Sequence, residues 1–354
     1  MLYFHNYFNI QPSIFIIFFE DLAKVEVWKH FRASRGDTVK HCLAEYLSEK
    51  LKFLSEQSQP STSNACSLIL WNKQPRTWGR STFLGAGSGT CGVYSTYWLG
   101  IPCARKQFHD EGTEPFFLKE ASILAQLRHP HIINFVCCGN GKKPGDQFIT
   151  MELMEKSLFK LIEDQKGICF STPVAVDIIV QIAKGMCYLH DQNIAHRDLK
   201  PQNVVVGRLS TPHLEDHYCV KLVDFGVSKT KVEVSKSNTM TRVGIGTTYY
   251  RAPEVHPKAH PDGIGGRRKA IWFKADVFSF AMTCAHILLL KRPFDDQKFP
   301  NYTELIQDKR PNLPLNKYPQ ELIDLIKDCW NSKPRSRPSF LDIWIRLENF
   351  DTKL

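Results

Sequence analysis

From the sequence we expect no apolar segment long enough to cross a membrane, and the cysteines form no pattern. Its apolar run IFIIFF, residues 14–19, is far shorter than the roughly 20 residues that a spanning helix needs. Residues 1–13 contain no Lys or Arg, so they lack the positive start of a secretory signal peptide. The 11 cysteines include no C-x-x-C pair, which favours reduced thiols over disulfides or zinc ligands. We therefore expect a cytoplasmic protein, with the nucleus as the alternative, and no membrane span.

Long runs of one charge are also missing. The net charge is +10, yet the basic residues form only short clusters such as that at 267–269. A solvated basic surface is the simpler interpretation, so no nucleic-acid partner is expected. Hydrophobic residues make up 43% of the 354 residues, which is enough for a substantial core.

Composition changes along the chain suggest an N-terminal segment followed by one large domain. Residues 21–57 place apolar side chains at helical spacing, and the polar stretch SEQSQPSTSNAC reads as a linker. We interpret residues 1–65 as a helical segment and linker of unknown role. Short β-rich runs then occupy about 79–150, with a helix near 115–128, and helical periodicity dominates after Ser157. This order predicts an α+β fold with a small β-rich part and a larger helical part. No internal repeat is found.

The glycine-rich stretch LGAGSGTCGVYSTYWLGIPCARK, residues 84–106, allows more than one kind of phosphate loop. Gly87, Gly89 and Gly92 fit the dinucleotide fingerprint G-x-G-x-x-G, which must open a helix. The residues after Gly92 instead predict a strand, a turn and a second strand. The stretch also contains no match to the Walker A pattern G-x-x-x-x-G-K-[ST]. The stretch therefore predicts a glycine-rich hairpin, whose backbone can approach phosphates closely, followed by a strand that ends at Lys106.

Three further strings follow in a fixed order: HRDLKPQN at 196–203, DFG at 224–226 and APE at 252–254. With the hairpin and the strand lysine, they resemble the protein kinase family over about 79–348. CWNSKPRSRPSF and DVFSFAM look like its tyrosine-kinase-like group, including plant Ser/Thr kinases. The resemblance implies a two-lobe kinase fold, with an N-lobe at 79–153 and a C-lobe at 154–348. It also implies ATP and Mg²⁺ as cofactors and proteins as substrates.

The resemblance assigns catalytic roles to matching positions. Asp198 is expected to accept the proton of the substrate hydroxyl, and Lys200 to approach the transferred phosphate. Asn203 and Asp224 are expected to ligate Mg²⁺ through hard oxygen atoms. Lys106 is expected to pair with a glutamate on the following helix. Glu120 has the family's spacing, whereas Glu111 and Glu114 precede the helix proper.

The resemblance also implies an ATP site. Met151 stands at the gatekeeper position before the hinge between the lobes. One extra residue in the hairpin leaves open whether Gly89 or Gly92 covers the phosphates. The expected ATP-binding residues are Gly85, Gly87, Gly89, Gly92, Val93, Ala104, Lys106, Met151, Glu152, Met154 and Val205.

Other matches concern structure and regulation. Asp276 resembles the aspartate that anchors the catalytic loop, and Arg337 the arginine that pairs with Glu254. Arg197 resembles an arginine that often pairs with a phosphorylated activation loop. The phosphosite candidates in that loop are Ser235, Ser237, Thr239 and Thr241.

Lys200 and Thr247 favour Ser/Thr over Tyr as the phosphate acceptor, with dual specificity as an alternative. A second alternative is a pseudokinase scaffold, suggested by the irregular glycine loop, and a third is a small-molecule phosphotransferase. Two insertions, at 207–219 and 256–273, have no assigned role. The second borders the expected substrate-docking surface, where it could hold specificity or be a tolerated loop.

Overall fold

A computed structural model describes residues 70–71, 81–86, 91–98, 101–109, 113–140, 147–208, 217–226, 228, 249–255, 269–295 and 308–351. The predicted helical segment within 1–65, the loop glycines Gly87 and Gly89, Thr247 and the four phosphosite candidates lie outside these residues. The chain divides into two compact units. The first takes in the described residues up to His129 and Asn134–Leu153. The second takes in Pro130–Ile133 and the described residues from Met154 onward.

A mixed sheet and one helix build the first unit. The strands are β1 (Leu70–Trp71), β2 (Thr82–Ala86), β3 (Gly92–Trp98), β4 (Ile101–Gln107), β5 (Phe135–Asn140) and β6 (Gln147–Glu152). They lie in the order β1-β5-β6-β4-β3-β2, and all neighbours are antiparallel except β1, which runs parallel to β5. The β3–β4 hairpin confirms the strand, turn and strand expected after the glycine loop. No dinucleotide-type helix follows Gly92.

Strand β1 was not anticipated from the sequence. It lies before residue 79, where the β-rich region was expected to begin, and it pairs Leu70 with Cys138 and Trp71 with Gly139. A short apolar run, LILW at 68–71, directly follows the polar linker and is the signal that could have revealed it. Through this strand, residues ahead of the expected domain cover what would otherwise be the edge formed by β5.

The first unit's helix α1 (Glu114–Gln126) begins with Glu114 and Pro115. An acidic residue and a proline suit a first helical turn, because the free N–H groups there favour negative charge and need no proline donor. Its buried residues recur at three- and four-residue spacing and are Phe117, Glu120, Ala121, Ile123 and Leu124. The Phe117 ring packs edge-on against Phe108, with ring centroids 5.5 Å apart. Glu120 is the charged member of this buried face, so its carboxylate requires a partner.

Five helices and a small sheet form the described part of the second unit. The helices are α2 (Leu158–Asp164), α3 (Thr172–Asp191), α4 (Lys269–Leu289), α5 (Gln320–Cys329) and α6 (Phe340–Asp351). The sheet has the order β7-β8-β9, from Lys156–Ser157, Val204–Arg208 and Tyr218–Leu222. From Ala275 to Leu288 every residue of α4 is buried, so this helix runs through the core. Helix α4 can therefore act as a rigid support for the loop between α3 and β8.

Two described helices are long and apolar enough to cross a membrane, which corrects the expectation that the later chain holds no such segment. They are Thr172–Asp191 and Ile271–Leu289, with mean hydropathies of 1.3 and 1.2. In the tested windows, 61% and 78% of the residues are buried inside the protein. Their apolar side chains pack against the protein itself, which explains why core helices give the same signal as membrane helices.

A buried tyrosine–histidine pair is expected to make the second unit sensitive to acid. The Tyr250 hydroxyl lies 2.7 Å from Nδ1 of His286. Burial, together with the charge of Arg292, lowers the pKa of His286 from 6.5 to about 4. Between these values the unfolded chain binds a proton that the folded chain does not, so stability is complete above pH 6.5 and falls towards pH 4. We expect this histidine alone to remove about 3 kcal/mol over that window.

Urea unfolding at pH 7, 5.5 and 4.5 would measure this loss. His286→Gln keeps a polar partner for Tyr250 but does not titrate, and we expect it to flatten the dependence of unfolding free energy on pH. His109→Gln, at an exposed histidine of the first unit, provides the histidine control. An unchanged pH dependence in His286→Gln would show that other groups cause the acid sensitivity.

Candidate active site

The catalytic carboxylate expected at Asp198 lies in the loop between α3 and β8. Its Oδ2 accepts hydrogen bonds from Nζ of Lys200 at 2.7 Å and from Nδ2 of Asn203 at 2.9 Å. Its Oδ1 is buried and accepts no hydrogen bond from the described residues. One oxygen atom is thus fixed by two donors, and the other keeps its capacity to accept a hydrogen bond.

The same loop is anchored by Asp276 of α4, which is 1% exposed. Its two carboxylate oxygens accept the backbone N–H groups of His196 and Arg197, each at 2.8 Å. Nε2 of His190 lies 2.9 Å from Oδ2. Arg197 has a φ of 72°, a left-handed conformation that costs free energy for a residue with a side chain. The bonds to Asp276 hold this strained backbone immediately before Asp198.

His196 connects the catalytic loop to the DFG segment. Its Nδ1 accepts the backbone N–H of Asp198 at 3.3 Å, so the ring proton lies on Nε2 and is donated to the carbonyl of Val223 at 3.2 Å. The imidazole also packs against Phe225, with ring centroids 5.4 Å apart. Both rings are fully buried. Sequence reasoning assigned His196 no role, although it is the first letter of the HRD string.

Asn203 and Asp224, the expected Mg²⁺ ligands, stand on neighbouring segments. The backbone N–H of Val223, directly before Asp224, donates to the carbonyl of Asn203 at 3.0 Å. Asp224 has a left-handed φ of 66°. An amide and a carboxylate supply hard oxygen atoms of the kind that Mg²⁺ binds, usually together with phosphate oxygens and water. This pair of residues therefore fits a magnesium ion.

Arg251 directly precedes the APE string and is a charged neighbour of Asp198. The sequence motifs did not single it out. Burial lowers the pKa of its guanidinium, whereas the negative charge of Asp198 raises it. Because an arginine stays protonated under all ordinary conditions, Asp198 has a permanent positive charge nearby in addition to Lys200. The arginine in YYRAPE was the available signal.

In the first unit, Lys106 and Glu120 form the expected ion pair. Nζ of Lys106 lies 2.8 and 2.7 Å from the two carboxylate oxygens of Glu120. The side chains are only 4% and 2% exposed. Glu114, the alternative partner, is exposed and lies in the first turn of α1, not before the helix as expected. The buried position of Glu120 on α1 selects it, because a lysine at the end of β4 can meet only the inward face of that helix.

Strand pairing places the first unit's expected adenine residues on the same sheet face as Lys106. Val93 lies opposite Lys106, and Ala104 lies opposite Met151. Residues directly opposite each other, or two apart in one strand, share a face. Val93 and Ala104 are half-buried, whereas Met151 is buried. This face thus combines a cation with small and apolar side chains, a suitable surface for a nucleotide.

The expected hinge contacts fall on both units and are described separately. In the first unit, the backbone N–H of Glu152 donates to the carbonyl of Asn134 at 3.0 Å, and its Oε1 accepts the N–H of Asn134 at 2.7 Å. An adenine contact at this residue would therefore use its carbonyl rather than its N–H. In the second unit, Met154 and Val205 are half-buried.

The described glycines of the loop are Gly85 and Gly92. Gly85 pairs with Val93, and Ala86 with Gly92, after a register shift between Phe83 and Gly85. Gly92 is therefore the first residue of β3. Among the described residues, a Cβ at Gly85 would meet no atom within 4 Å, so none of them blocks close approach of a ligand to its backbone.

The expected pair of Glu254 and Arg337 is also present. Nη1 and Nη2 of Arg337 lie 2.5 and 3.1 Å from the two carboxylate oxygens of Glu254. Arg337 is 1% exposed and also donates through Nη1 to the carbonyl of Lys274 at 2.8 Å. This bidentate geometry ties the APE segment to α4 and to the turn at Pro334–Ser336.

Comparison with known proteins agrees with this geometry. A family model described as the protein kinase domain matches residues 80–345. A light-sensor protein kinase from Ceratodon purpureus is 36% identical over 327 residues, which cover 86% of this chain and 25% of that protein. Serine/threonine-protein kinase VIK from Arabidopsis thaliana is 32% identical over 295 residues, covering 80% of this chain and 63% of that protein.

A third relative, dual specificity protein kinase shkB from Dictyostelium discoideum, is 34% identical over 271 residues, covering 73% of this chain and 38% of that protein. The chain thus spans less than two thirds of the length of each of these relatives. The family match nevertheless extends over most of the chain and includes all the site residues described above. The chain belongs to the protein kinase domain family.

Proposed function

We propose that this chain is a protein kinase that transfers the γ-phosphoryl group of ATP to serine and threonine hydroxyls of proteins. The proposal is supported mainly by the hydrogen bonding of the Asp198 carboxylate. One of its oxygens is held by Lys200 and Asn203, and the other is buried without a hydrogen bond from the described residues. A carboxylate held in this way is prepared to receive one hydroxyl proton.

The proposed reaction needs positioning and charge neutralisation more than covalent chemistry. The substrate hydroxyl oxygen forms a bond to the γ-phosphorus while the bond from that phosphorus to the bridging oxygen of ADP breaks. The hydroxyl proton passes to Oδ1 of Asp198, and the ammonium groups of Lys200 and Lys106 offset negative charge on the phosphates. Asn203 and Asp224 would hold Mg²⁺, which supplies further neutralisation of phosphate charge.

The choice between serine, threonine and tyrosine as the acceptor rests on one motif residue and on the names of two relatives. Lys200 in HRDLKPQN favours serine and threonine, as does the name of the Arabidopsis relative. The Dictyostelium relative is named a dual specificity kinase. Ser/Thr transfer is our proposal, and dual specificity is the competing outcome. No observation on the described residues favours a scaffold without transfer.

The test is transfer of γ-labelled phosphate from Mg-ATP to the chain itself and to a generic basic protein, followed by phospho-amino-acid analysis. We expect labelled phosphoserine and phosphothreonine, and loss of transfer when EDTA removes the metal. Labelled phosphotyrosine alongside them would establish dual specificity. Measurable ATP binding with no transfer under any of these conditions would overturn the proposed function.

A further inference from the structure

The second insertion, residues 256–273, ends inside helix α4, and this end contacts the catalytic loop. Trp272 belongs to the first turn of α4, four residues before Asp276. Residues four apart lie on the same face of a helix. Asp276 holds the backbone N–H of Arg197, and Trp272 meets the side chain of the same residue. Helix α4 therefore contacts both the backbone and the side chain of Arg197, through two residues that lie one helical turn apart.

The contact between Trp272 and Arg197 is a cation–π interaction. The guanidinium carbon of Arg197 lies 4.0 Å from the centroid of the indole ring. This is well inside the roughly 6 Å within which such contacts are attractive, and tryptophan provides the strongest aromatic face. Both residues are half-buried, so the attraction is less weakened by water than at a fully exposed site.

The contact constrains the side chain of Arg197 through the face of a ring and not through an acceptor atom, since the guanidinium carbon lies over the indole. The backbone of the same residue is left-handed, with a φ of 72°. A residue in that conformation persists only where its surroundings hold it. Asp198 follows directly, so a change in the backbone of Arg197 would displace the catalytic carboxylate.

We propose that Trp272 is a positioning residue: by its cation–π contact with Arg197, it holds the catalytic loop in the conformation that presents Asp198 to the substrate. The inference rests on the proposed kinase function. It also gives a role to the end of the insertion, for which the sequence left substrate specificity and a tolerated loop open. Trp272 touches neither substrate nor phosphate in this role; it acts through Arg197.

Steady-state kinetics of Trp272→Leu and Trp272→Phe would test the proposal. We expect Trp272→Leu to lower kcat about ten-fold, with KM for ATP changed less than two-fold, because the contact acts on the loop and not on nucleotide binding. Trp272→Phe keeps a weaker aromatic face and should lose only about two- to three-fold in kcat. An unchanged kcat in Trp272→Leu would overturn the proposal.

A matched control exists on α6, where Nζ of Lys184 lies 5.6 Å from the ring centroid of Trp344. Trp344→Leu removes a similar contact away from the catalytic loop, and its kcat should equal that of the native chain. The leucine substitution is then repeated in an Arg197→Met background, where it should cause no further loss. A loss of equal size in that background would show that Trp272 acts independently of Arg197, contrary to the proposal.

Amide hydrogen exchange separates this proposal from the kinase function. Trp272→Leu should exchange faster than the native chain across residues 194–203, whereas Trp344→Leu should not. If the native chain transfers no phosphate, the proposed function fails, and exchange still decides whether Trp272 holds the loop. If Trp272→Leu does not fold, Trp272→Phe serves in both measurements. Native-like exchange in the variant that folds would overturn the positioning role.

Discussion

Replacing Asp198 by Asn is expected to lower phosphoryl transfer roughly 10²–10⁴-fold, the range that a positioned general base contributes. The amide has nearly the shape of the carboxylate but cannot take up the hydroxyl proton. It also faces the ammonium group of Lys200, which lies 2.7 Å from Oδ2 in the native chain, so one charge-assisted hydrogen bond is lost. The assay is transfer from γ-labelled Mg-ATP at saturating substrate.

The effect should fall on kcat and leave ATP binding nearly unchanged, since Asp198 acts on the hydroxyl and not on the nucleotide. Asp191→Asn is a suitable control, because Asp191 is an exposed aspartate at the end of α3. Transfer by Asp198→Asn within a few-fold of the native rate would mean that another group accepts the proton or that proton transfer does not limit the rate. Either result would remove the main support of the proposed mechanism.

The second large effect is expected at the buried pair in the first unit. Lys106→Met should lower kcat/KM for ATP by about 10²–10³, the usual loss when one preorganised cationic or hydrogen-bonding group is removed from a reacting centre. Methionine has a similar length and no charge, so it keeps the packing around β4. The measurement is the initial rate over a range of ATP concentrations, together with a thermal unfolding midpoint to establish folding.

Glu120→Gln tests the other half of the pair. It leaves Lys106 charged but removes the carboxylate that lies 2.7 and 2.8 Å from its ammonium nitrogen. We expect a smaller loss than in Lys106→Met, since the cation remains but is less well oriented. Glu114→Gln, on the exposed first turn of the same helix, is the matched control and should be close to native. Equal rates in the two glutamine variants would show that the ion pair does not orient the lysine.

The sequence by itself determined the family and the identity of the central residues. The strings around Lys106, Asp198, Asp224 and Glu254 are local, and each is short enough to be read without knowing the fold. The β-branched and aromatic residues after Gly92 predicted strands and so excluded a dinucleotide loop, which needs a helix at that point. Periodicity also located α1 within a few residues, since Pro115 and the apolar spacing mark its start.

The resemblance to the family predicted which residues meet across some long separations in the chain, but only the tertiary structure decided the geometry of those contacts. Asp276 reaches backbone N–H groups 79 and 80 residues earlier, and Glu254 and Arg337 are 83 residues apart. Such contacts depend on how helices pack, which no local pattern encodes. Strand β1 and the contact of Trp272 with Arg197 belong to the same class, because a two-residue strand and a single aromatic ring have no periodicity to read. The sequence supplied the reacting groups, and long-range packing decided how they are held.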